Sequence, residues 1–312
     1  AVIGAGAAGY FAAISVKKHH PMAQVQLLEK STKMLVKVKV SGGGRCNVTH
    51  NCHNHRELAQ HYPRGEKFMR QAFTQFDVSD TIAWFESRGV ALKVESDNRM
   101  FPSTNDSQTI IDCLVNETVA NQIQVRLKAN AESITPSKKG FDITVNGAIE
   151  SFDKVIIAAG GSPKKEGLLW LEDLGQPIVD PLPSLFTFNM PNESIKKLMG
   201  LSVPLAEVKV KGTKLSSTGP LLITHWGMSG PTILKTSAFG ARELADMNYN
   251  FTCLVNWVGG KKEHEIRAAL EEELQEMGKR KVINRNPFHI PNRLWEFLIE
   301  KAEIAPDKIW ME

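Results

Sequence analysis

The chain has 312 residues, of which 42% are hydrophobic and 23% are charged. At about 150 residues per domain this length corresponds to two domains, and the composition is that of an average globular protein. Collagen-like, coiled-coil and low-complexity proteins are excluded, and no apolar run approaches the roughly 18 residues that a membrane span requires. The formal net charge of +4 is spread along the chain without a basic stripe. We therefore expect neither a nucleic-acid partner nor a membrane partner.

Four cysteines are present, and none forms a Cys-x-x-Cys pair. This number is too small for a disulfide framework in a chain of this length, so a reducing compartment is expected. The first residues lack the basic flank and the cleavage site of a signal peptide. Together these features predict a cytoplasmic protein.

The chain begins with a short apolar strand, a Gly-x-Gly-x-x-Gly turn and a helix. In such a turn Gly4 allows the tight bend, Gly6 allows the backbone to approach a pyrophosphate, and Gly9 allows the helix to pack closely on the strand. The helix begins at Ala7 and Ala8, whose backbone N–H groups lie at the positive end of the helix dipole. A dinucleotide diphosphate is the ligand that this arrangement favours.

A second predicted strand, Val25 to Glu29, ends in an acid that lies twenty positions beyond Gly9. A carboxylate at this spacing accepts hydrogen bonds from a ribose diol. We therefore assign Glu29 and the adjacent Lys30 to the cofactor site. NAD and FAD fit this part of the sequence equally well.

Three further features favour FAD. A triple glycine lies about a dozen residues beyond Glu29 and predicts a loop with exposed backbone N–H groups. A predicted buried strand, Lys154 to Gly161, ends in small residues that can approach a bound dinucleotide. About 110 residues separate Gly44 from Val155, too many for the repeating βαβ units of a plain NAD domain. The cofactor residues predicted from these two segments are Ser41, Gly42, Gly43, Gly44, Arg45, Cys46, Asn47, Ala158, Gly160 and Gly161.

Several motifs occur in the order seen in one known family. They are Gly4 to Gly9, Glu29, Ser41-Gly-Gly-Gly-Arg-Cys-Asn47, Arg99-Met-Phe-Pro102, Ala158-x-Gly160-Gly161, Pro183-Ser-Leu185 and Thr224-His-Trp-Gly-Met-Ser-Gly-Pro231. The chain resembles the BaiN/RdsA family of NAD(P)/FAD-dependent oxidoreductases, also called the aminoacetone oxidase family, over nearly its whole length. The resemblance implies that FAD is bound, with NAD(P)H as a transient electron donor. It also implies that the main chain of Ala131 passes near the adenine.

The resemblance leaves the reaction open. A hydride passes from NAD(P)H through FAD to an unsaturated or carbonyl small-molecule substrate, or from an amine-like substrate through FAD to oxygen. The oligomeric state is open as well. A plain NAD-dependent dehydrogenase is disfavoured by the triple-glycine loop, and a flavoprotein acting on tRNA is disfavoured by the scattered charge. A non-catalytic remnant that acts as a binding scaffold is the alternative from another functional class.

The predicted fold class is α/β. A two-dinucleotide-binding, Rossmann-like FAD domain spans 1–183, an inserted β-rich domain spans 184–258, and a small helical subdomain spans 259–312. Only three residues precede Gly4 and residue 1 is not Met, and the glycine-rich C-terminal motif of the family is not found. We therefore expect truncation at both ends, without the C-terminal completion of the FAD domain.

Ile123 to Leu127 and Phe141 to Val145 both alternate apolar and polar residues. This alternation predicts antiparallel strands, with a connection around Lys138-Lys139-Gly140. The motif at Thr224 to Pro231 predicts the end of a strand followed by a helix, with Ser229 as the helix cap and Pro231 in the first turn.

His225 is the candidate catalytic residue, because an imidazole titrates near neutral pH and can donate a proton to a substrate reduced at the flavin. The alternative is a structural corner at this motif. Arg45 either contacts the cofactor or braces its own loop, and Cys46 is either a packed small residue, a reactive thiol or the partner of Cys52 in a redox pair. Cysteines and histidines crowd residues 46–61 without the spaced pairs of a zinc site, so no metal is predicted.

Overall fold

The computed structural model describes residues 1–311, apart from the side chain of Met277. The chain divides into two compact units, Ala1–Pro181 and Leu182–Glu312. The first unit contains a parallel sheet with helices and the second contains an antiparallel sheet with helices. The predicted α/β class with a Rossmann-like domain is confirmed.

The first unit begins with a strand-turn-helix. Its elements in chain order are β1 (Val2–Ile3), α1 (Ala7–His19), β2 (Gln26–Leu28), α2 (Val36–Gly44), β3 (Thr49–His50), α3 (His55–Ala59), α4 (Glu66–Ala72), α5 (Val78–Glu86), β4 (Leu92–Val94), β5 (Arg99–Pro102), α6 (Ser107–Ala120), β6 (Gln124–Arg126), β7 (Ala131–Ser137), β8 (Gly140–Val145), β9 (Ala148–Phe152) and β10 (Ile156–Ile157). A 3-10 helix follows at Lys165–Leu174.

The central sheet of the first unit has the strand order β10-β1-β2-β6, and all three strand pairings are parallel. Val2 pairs with Leu27 on one side and with Ile156 on the other. Helix α1 packs closely on this sheet because residue 9 has no side chain, since a Cβ at Gly9 would overlap the carbonyl oxygen of Gly4. Tyr10 and the neighbouring core residues are thereby buried against the sheet.

The segment between β2 and β6 is an insertion of helices and a small sheet. Helices α2 to α6 lie in it, together with a three-stranded antiparallel sheet of order β3-β5-β4. Helix α6 contacts both α1 and α2. The insertion therefore covers one side of the glycine-rich turn and supplies residues around it.

Two strand predictions in this unit need correction. Residues 124–126 form β6, which pairs in parallel with β2, and do not form a hairpin with Phe141 to Val145. The hairpin partner of β8 is β7, and the two strands are joined around Lys138-Lys139-Gly140 as predicted. The strand at Ile156 and Ile157 is half exposed and not buried, because β10 is the edge strand of its sheet.

The second unit is built on an antiparallel sheet of order β11-β14-β13-β12-β15. Its strands are β11 (Phe188–Asn189), β12 (Ser202–Val210), β13 (Ser216–Ile223), β14 (Gly227–Ser229) and β15 (Cys253–Asn256). Its helices are α7 (Pro231–Phe239), α8 (Ala241–Asp246), α9 (Glu263–Met277) and α10 (Asn292–Lys301). Leu294, Trp295 and Ile299 of α10 belong to the same hydrophobic core as Val208 and Leu221 of the sheet.

The cap of α7 differs from the prediction. Ser229 is the last residue of β14, and the residue that caps the helix is Gly230, with φ 92°. A Cβ at Gly230 would lie 2.9 Å from the backbone nitrogen of Leu222, so glycine is required by both its φ and the close approach. Pro231 occupies the first turn as predicted. Within residues 1–311, no helix is both long and apolar enough to cross a membrane.

Candidate functional site

A cavity of about 1050 Å³ lies in the first unit, where β1, β2 and β10 end. The carboxyl ends of parallel strands are where open α/β sheets bind ligands. Ten predicted cofactor residues line this cavity: Gly4, Gly6, Ala7, Ala8, Glu29, Ser41, Cys46, Asn47, Ala158 and Gly160. Eight others do not line it: Gly9, Lys30, Gly42, Gly43, Gly44, Arg45, Ala131 and Gly161. Residues predicted from four separate segments are thus brought together at the carboxyl ends of the parallel strands.

The glycine-rich turn forms one wall of the cavity. Gly4 has φ 103°, and a Cβ there would lie 2.5 Å from the carbonyl oxygen of Ala158. Gly6 is the residue before α1, and a Cβ at Gly6 would meet no atom within 4 Å. Among the residues that the structure describes, no side chain caps the start of α1, so its first N–H groups are left without a side-chain acceptor. The turn combines exposed N–H donors with open space for a ligand.

Glu29 is joined to this turn by a hydrogen bond. Its Oε2 accepts from the backbone N–H of Ala5, and its Oε1 accepts from the backbone N–H of Ser31, both at 2.9 Å. Partial burial raises the pKa of this carboxyl, but the hydrogen bonds from Ser31 and Ala5 outweigh burial, so that its pKa is below the usual value. Glu29 is therefore a fixed carboxylate, and its remaining lone pairs can accept from hydroxyl groups of a ligand.

The triple glycine forms a loop, as predicted. Helix α2 loses helical geometry at Ser41, and the φ values of Gly42, Gly43 and Gly44 are all positive. At Gly42 a Cβ would lie 2.8 Å from the Phe101 ring, so this position has room for hydrogen only. The N–H of Cys46 closes the loop by donating to the carbonyl oxygen of Ser41 at 3.0 Å.

Arg45 braces this loop and does not reach the cavity. Its guanidinium donates to both carboxylate oxygens of Glu95, at 2.5 and 3.5 Å. Its Nε donates to the carbonyl oxygen of Gly42, and its Cζ lies 4.0 Å from the centroid of the Phe101 ring. Of the two roles considered for Arg45, these contacts match the bracing role.

Cys46 lies at the cavity wall as a packed thiol. It is buried, and burial raises its pKa, although a hydrogen bond with Ser41 acts in the opposite direction. A raised pKa keeps the thiol neutral and weakly nucleophilic at neutral pH. All four cysteines are free thiols.

Two of the histidines that the sequence places near Cys46, His53 and His55, have hydrogen-bonding partners. His53 contacts Ser79 and Asn51 at 3.0 Å each, and His55 contacts Asp77 at 2.9 Å. Among residues 1–311, no group of three or more His, Cys, Asp or Glu side chains is placed to hold a metal ion.

Sequence reasoning missed several cavity residues. Lys33, Leu35 and Lys37 approach from α2 and the segment before it, and an apolar wall is contributed by α1, by α5 and the segment before it, and by α6. The apolar wall consists of Phe11, Ala12, Phe76, Phe85, Ile110 and Leu114. A usable signal for Lys37 was present, because charged and apolar residues alternate in Val36 to Val40, directly before the glycine loop.

His225 belongs to the second unit. It lies in the tight connection between β13 and β14, where the N–H of Thr224 donates to the carbonyl oxygen of Gly227 at 2.8 Å. Its ring is exposed and lies 4.5 Å, centroid to centroid, from the ring of Trp226. The imidazole is therefore accessible to solvent at the corner that the sequence predicted.

Comparison with known sequences identifies relatives along most of the chain. The family model described as HI0933-like protein Rossmann domain matches residues 1–270. A ribosomal RNA dihydrouridine synthase of Escherichia coli is 27% identical over 98% of this chain and 74% of its own length. A 3-dehydro-bile acid delta(4,6)-reductase of Clostridium scindens is 25% identical over 78% of this chain. The chain spans 60% of the length of that reductase.

Two solved structures resemble parts of the chain. The E. coli quinol fumarate reductase FrdA is 16% identical, with a TM-score of 0.41, over 52% of this chain and 32% of its own. A flavocytochrome c3 fumarate reductase in an open conformation is 20% identical, with a TM-score of 0.43, over 65% of this chain and 46% of its own.

The family match covers more than half of the chain and includes the whole cavity. It confirms the resemblance that the glycine motifs and the Ser41 to Asn47 loop indicated. The chain belongs to the HI0933-like protein Rossmann-domain family, the family of FAD-binding oxidoreductases that these motifs resemble.

Proposed function

We propose that the chain binds FAD in the cavity at Gly4 to Ala8 and works as an FAD-dependent oxidoreductase. In this proposal a hydride passes from NAD(P)H through FAD to a small unsaturated substrate. The observation that carries the proposal is the convergence of the open glycine turn, the fixed Glu29 carboxylate and the Ser41 to Asn47 loop on one cavity.

The residues present fit FAD. The space above Gly6 and the free N–H groups at the start of α1 suit a diphosphate, and the lone pairs of Glu29 suit a ribose diol. The cavity of about 1050 Å³ is large enough for a dinucleotide and not only for a mononucleotide. Ser41 and Asn47 would supply polar groups further along the cofactor.

FAD supplies the hydride and electron chemistry when it is bound, and the protein supplies binding and orientation. The Ser41 to Asn47 loop would hold polar groups against the cofactor, and the bracing of Arg45 by Glu95 would keep that loop rigid. The apolar wall of α1, α5 and α6 would exclude water from the neighbouring part of the cavity.

The names of the relatives favour a reductase over an amine oxidase. A dihydrouridine synthase and a delta(4,6)-reductase both reduce carbon–carbon double bonds, in an RNA base and in a bile acid respectively. We extend this reaction type to the present chain, with an alkene conjugated to a carbonyl group as the substrate class. Such a reduction needs a proton donor in addition to the hydride, and His225 is the candidate in this proposal.

The proposal is tested by the absorption spectrum of the purified chain supplied with FAD, followed by anaerobic titration with NADH and NADPH. Bleaching of bound flavin by a nicotinamide, and its recovery on addition of a conjugated enone, are expected, and uridine-containing RNA is tested beside the enone. Bleaching by an amine but not by a nicotinamide would instead indicate the oxidase. Recovery with RNA alone would overturn the prediction that no nucleic acid is a partner.

His225 is tested in the same assay. The H225Q variant is expected to reduce its flavin with NAD(P)H at the wild-type rate but to reoxidise it with substrate about 100-fold more slowly, because general acid catalysis contributes rate factors of this size. If H225Q had the wild-type rate in both half-reactions, His225 would have only a structural role at this corner.

Two alternatives predict different results. A plain NAD-dependent dehydrogenase would bind NAD and leave FAD unbound. A non-catalytic scaffold would bind neither cofactor, yet unfold cooperatively.

A further inference from the structure

We propose that the ammonium group of Lys37 binds the diphosphate of the dinucleotide in this cavity. The inference rests on the proposed function only in that a dinucleotide occupies the cavity. It adds a charged side chain to a turn that otherwise offers only backbone N–H groups to the diphosphate.

Lys37 is placed beside the phosphate-binding turn. Its Nζ lies 3.8 Å from the position that a Cβ of Gly160 would occupy. The preceding residues Ala158 and Ala159 are packed against Gly4, where an added Cβ would lie 2.5 to 2.9 Å from their backbone atoms. The ammonium group and the glycine turn therefore flank the same stretch of the cavity.

The start of α2 holds Lys37 in this position. Leu35, the residue before the helix, is almost fully buried and has φ 55°. Its backbone N–H donates to the carbonyl oxygen of Ala5 at 2.9 Å. Because this anchor lies two residues before Lys37, the origin of the lysine side chain is fixed relative to the turn.

Lys37 and Lys39 have different environments although they are two residues apart. Successive residues in a helix are rotated by about 100°, so these two side chains point about 200° apart. Lys39 donates to Gln108 at 3.0 Å and lies 3.7 Å from Asp106. Lys37 lines the cavity, and among residues 1–311 its ammonium group has no hydrogen bond or ion pair.

The positive charge of Lys37 can compensate the negative charge of a diphosphate at this site. The other ionised groups at the cavity wall are Glu29, which repels an anion, and Lys33, which follows Glu29 and Ser31 on the ribose side. Arg45 is engaged by Glu95 and does not line the cavity. Lys37, whose Nζ lies beside Gly160, therefore offers a compensating side-chain charge to a diphosphate at the turn.

The test is calorimetric titration of the flavin-free chain with FAD and, separately, with ADP, at low and at high salt. We expect K37M to lower the affinity for both FAD and ADP about ten- to one-hundred-fold at low salt, as for the loss of a charge-assisted hydrogen bond. High salt should reduce the difference in affinity between K37M and wild type, because ions screen the attraction between the ammonium group and the diphosphate. K37R should stay within about threefold of wild type because it keeps the charge.

Two variants serve as comparisons. K139M removes an exposed lysine between β7 and β8, away from the cavity, and should bind both ligands as wild type does. K33M should weaken ADP less than K37M does. Unfolding midpoints of all variants are measured to show that the fold is retained.

Unchanged ADP affinity in K37M, or a loss for FAD without a loss for ADP, would overturn the inference and leave the FAD assignment standing. A larger effect of K33M than of K37M would overturn it as well. Conversely, if the wild-type chain binds ADP through Lys37 but does not bind FAD, the proposed function fails and the diphosphate contact stands.

Discussion

The carboxylate of Glu29 accepts a hydrogen bond from the backbone N–H of Ala5 across 2.9 Å. The acid at the end of β2 is thus joined directly to the glycine-rich turn at the end of β1. This contact fixes the distance between the expected ribose and diphosphate sites before any ligand binds. It also makes the turn sensitive to the charge of Glu29.

The E29Q variant tests this relationship. A glutamine has one acceptor oxygen and presents an NH₂ group to one of the two backbone N–H groups, so the turn loses a hydrogen bond. We expect affinity for FAD to fall about tenfold, measured by quenching of flavin fluorescence. E86Q, which alters an exposed glutamate at the end of α5, is the matched control. Equal affinity in E29Q and E86Q would contradict the assigned role.

The same residue predicts a pH dependence of stability. The pKa of Glu29 is lower in the folded chain than its usual value, so its ionised form stabilises the fold at neutral pH. This contribution is lost as the pH falls through the lowered pKa. The urea midpoint of the wild-type chain should therefore fall more steeply on acidification than that of E29Q. If the urea midpoints of wild type and E29Q fell in parallel with pH, the hydrogen bonds from Ala5 and Ser31 would not stabilise the ionised form of Glu29.

Gly6 and Gly9 have different roles in the turn, and alanine separates them. A Cβ at Gly6 meets open space in the cavity, whereas a Cβ at Gly9 overlaps the carbonyl oxygen of Gly4. G6A should therefore keep the free energy of unfolding within about 0.5 kcal/mol of wild type while FAD binding is lost. G9A should lower the free energy of unfolding by more than about 2 kcal/mol. The two quantities are measured by urea unfolding and FAD titration, and similar behaviour of the two variants would contradict the packing described.

The pairing of Arg45 with Glu95 is tested by a double-mutant cycle of R45M and E95Q. Both side chains are partly exposed, so we expect a coupling of about 1 kcal/mol in the free energy of unfolding. The single variants should weaken FAD binding to a similar extent, because both release the same loop. If R45M abolished binding while E95Q left it intact, Arg45 would be a direct cofactor contact.

The cysteines offer a check on the cavity wall. Burial raises the pKa of Cys46, of Cys113 and, to about 11, of Cys253, so these thiols stay protonated at neutral pH. We expect iodoacetamide to alkylate Cys52 first, with the other three reacting only as the pH approaches their raised pKa values, as followed by mass spectrometry. Rapid alkylation of Cys46 at neutral pH would indicate a reactive thiol at the site.

Much of the cofactor site was predictable because local residue chemistry determines it. Glycine at position 4 is required by its positive φ and by the close approach of the Ala158 backbone, and the glycine motif of the sequence indicates this requirement. Glu29 was predictable from its spacing to Gly9. The family match adds the class of protein, the FAD-binding oxidoreductases, in which such a turn occurs.

The features that were missed or wrong depend on distant parts of the chain. The alternation of apolar and polar residues in Ile123 to Leu127 indicates a strand but not its partner. In the structure this strand pairs in parallel with β2. The exposure of Ile156 follows from the edge position of β10, which no local pattern reports. The engagement of Arg45 by Glu95 joins residues fifty positions apart. The sequence alone therefore left the role of Arg45 open.

In the proposed function FAD occupies the cavity beside Gly6. The most direct measurement is titration of the flavin-free chain and its G6A variant with FAD, followed by flavin absorbance and fluorescence, with unfolding curves of both proteins recorded in parallel. We expect saturable binding of one FAD per wild-type chain and no binding by a folded G6A variant. Equal binding by both proteins, or no binding by a folded wild-type chain, would contradict the proposed function.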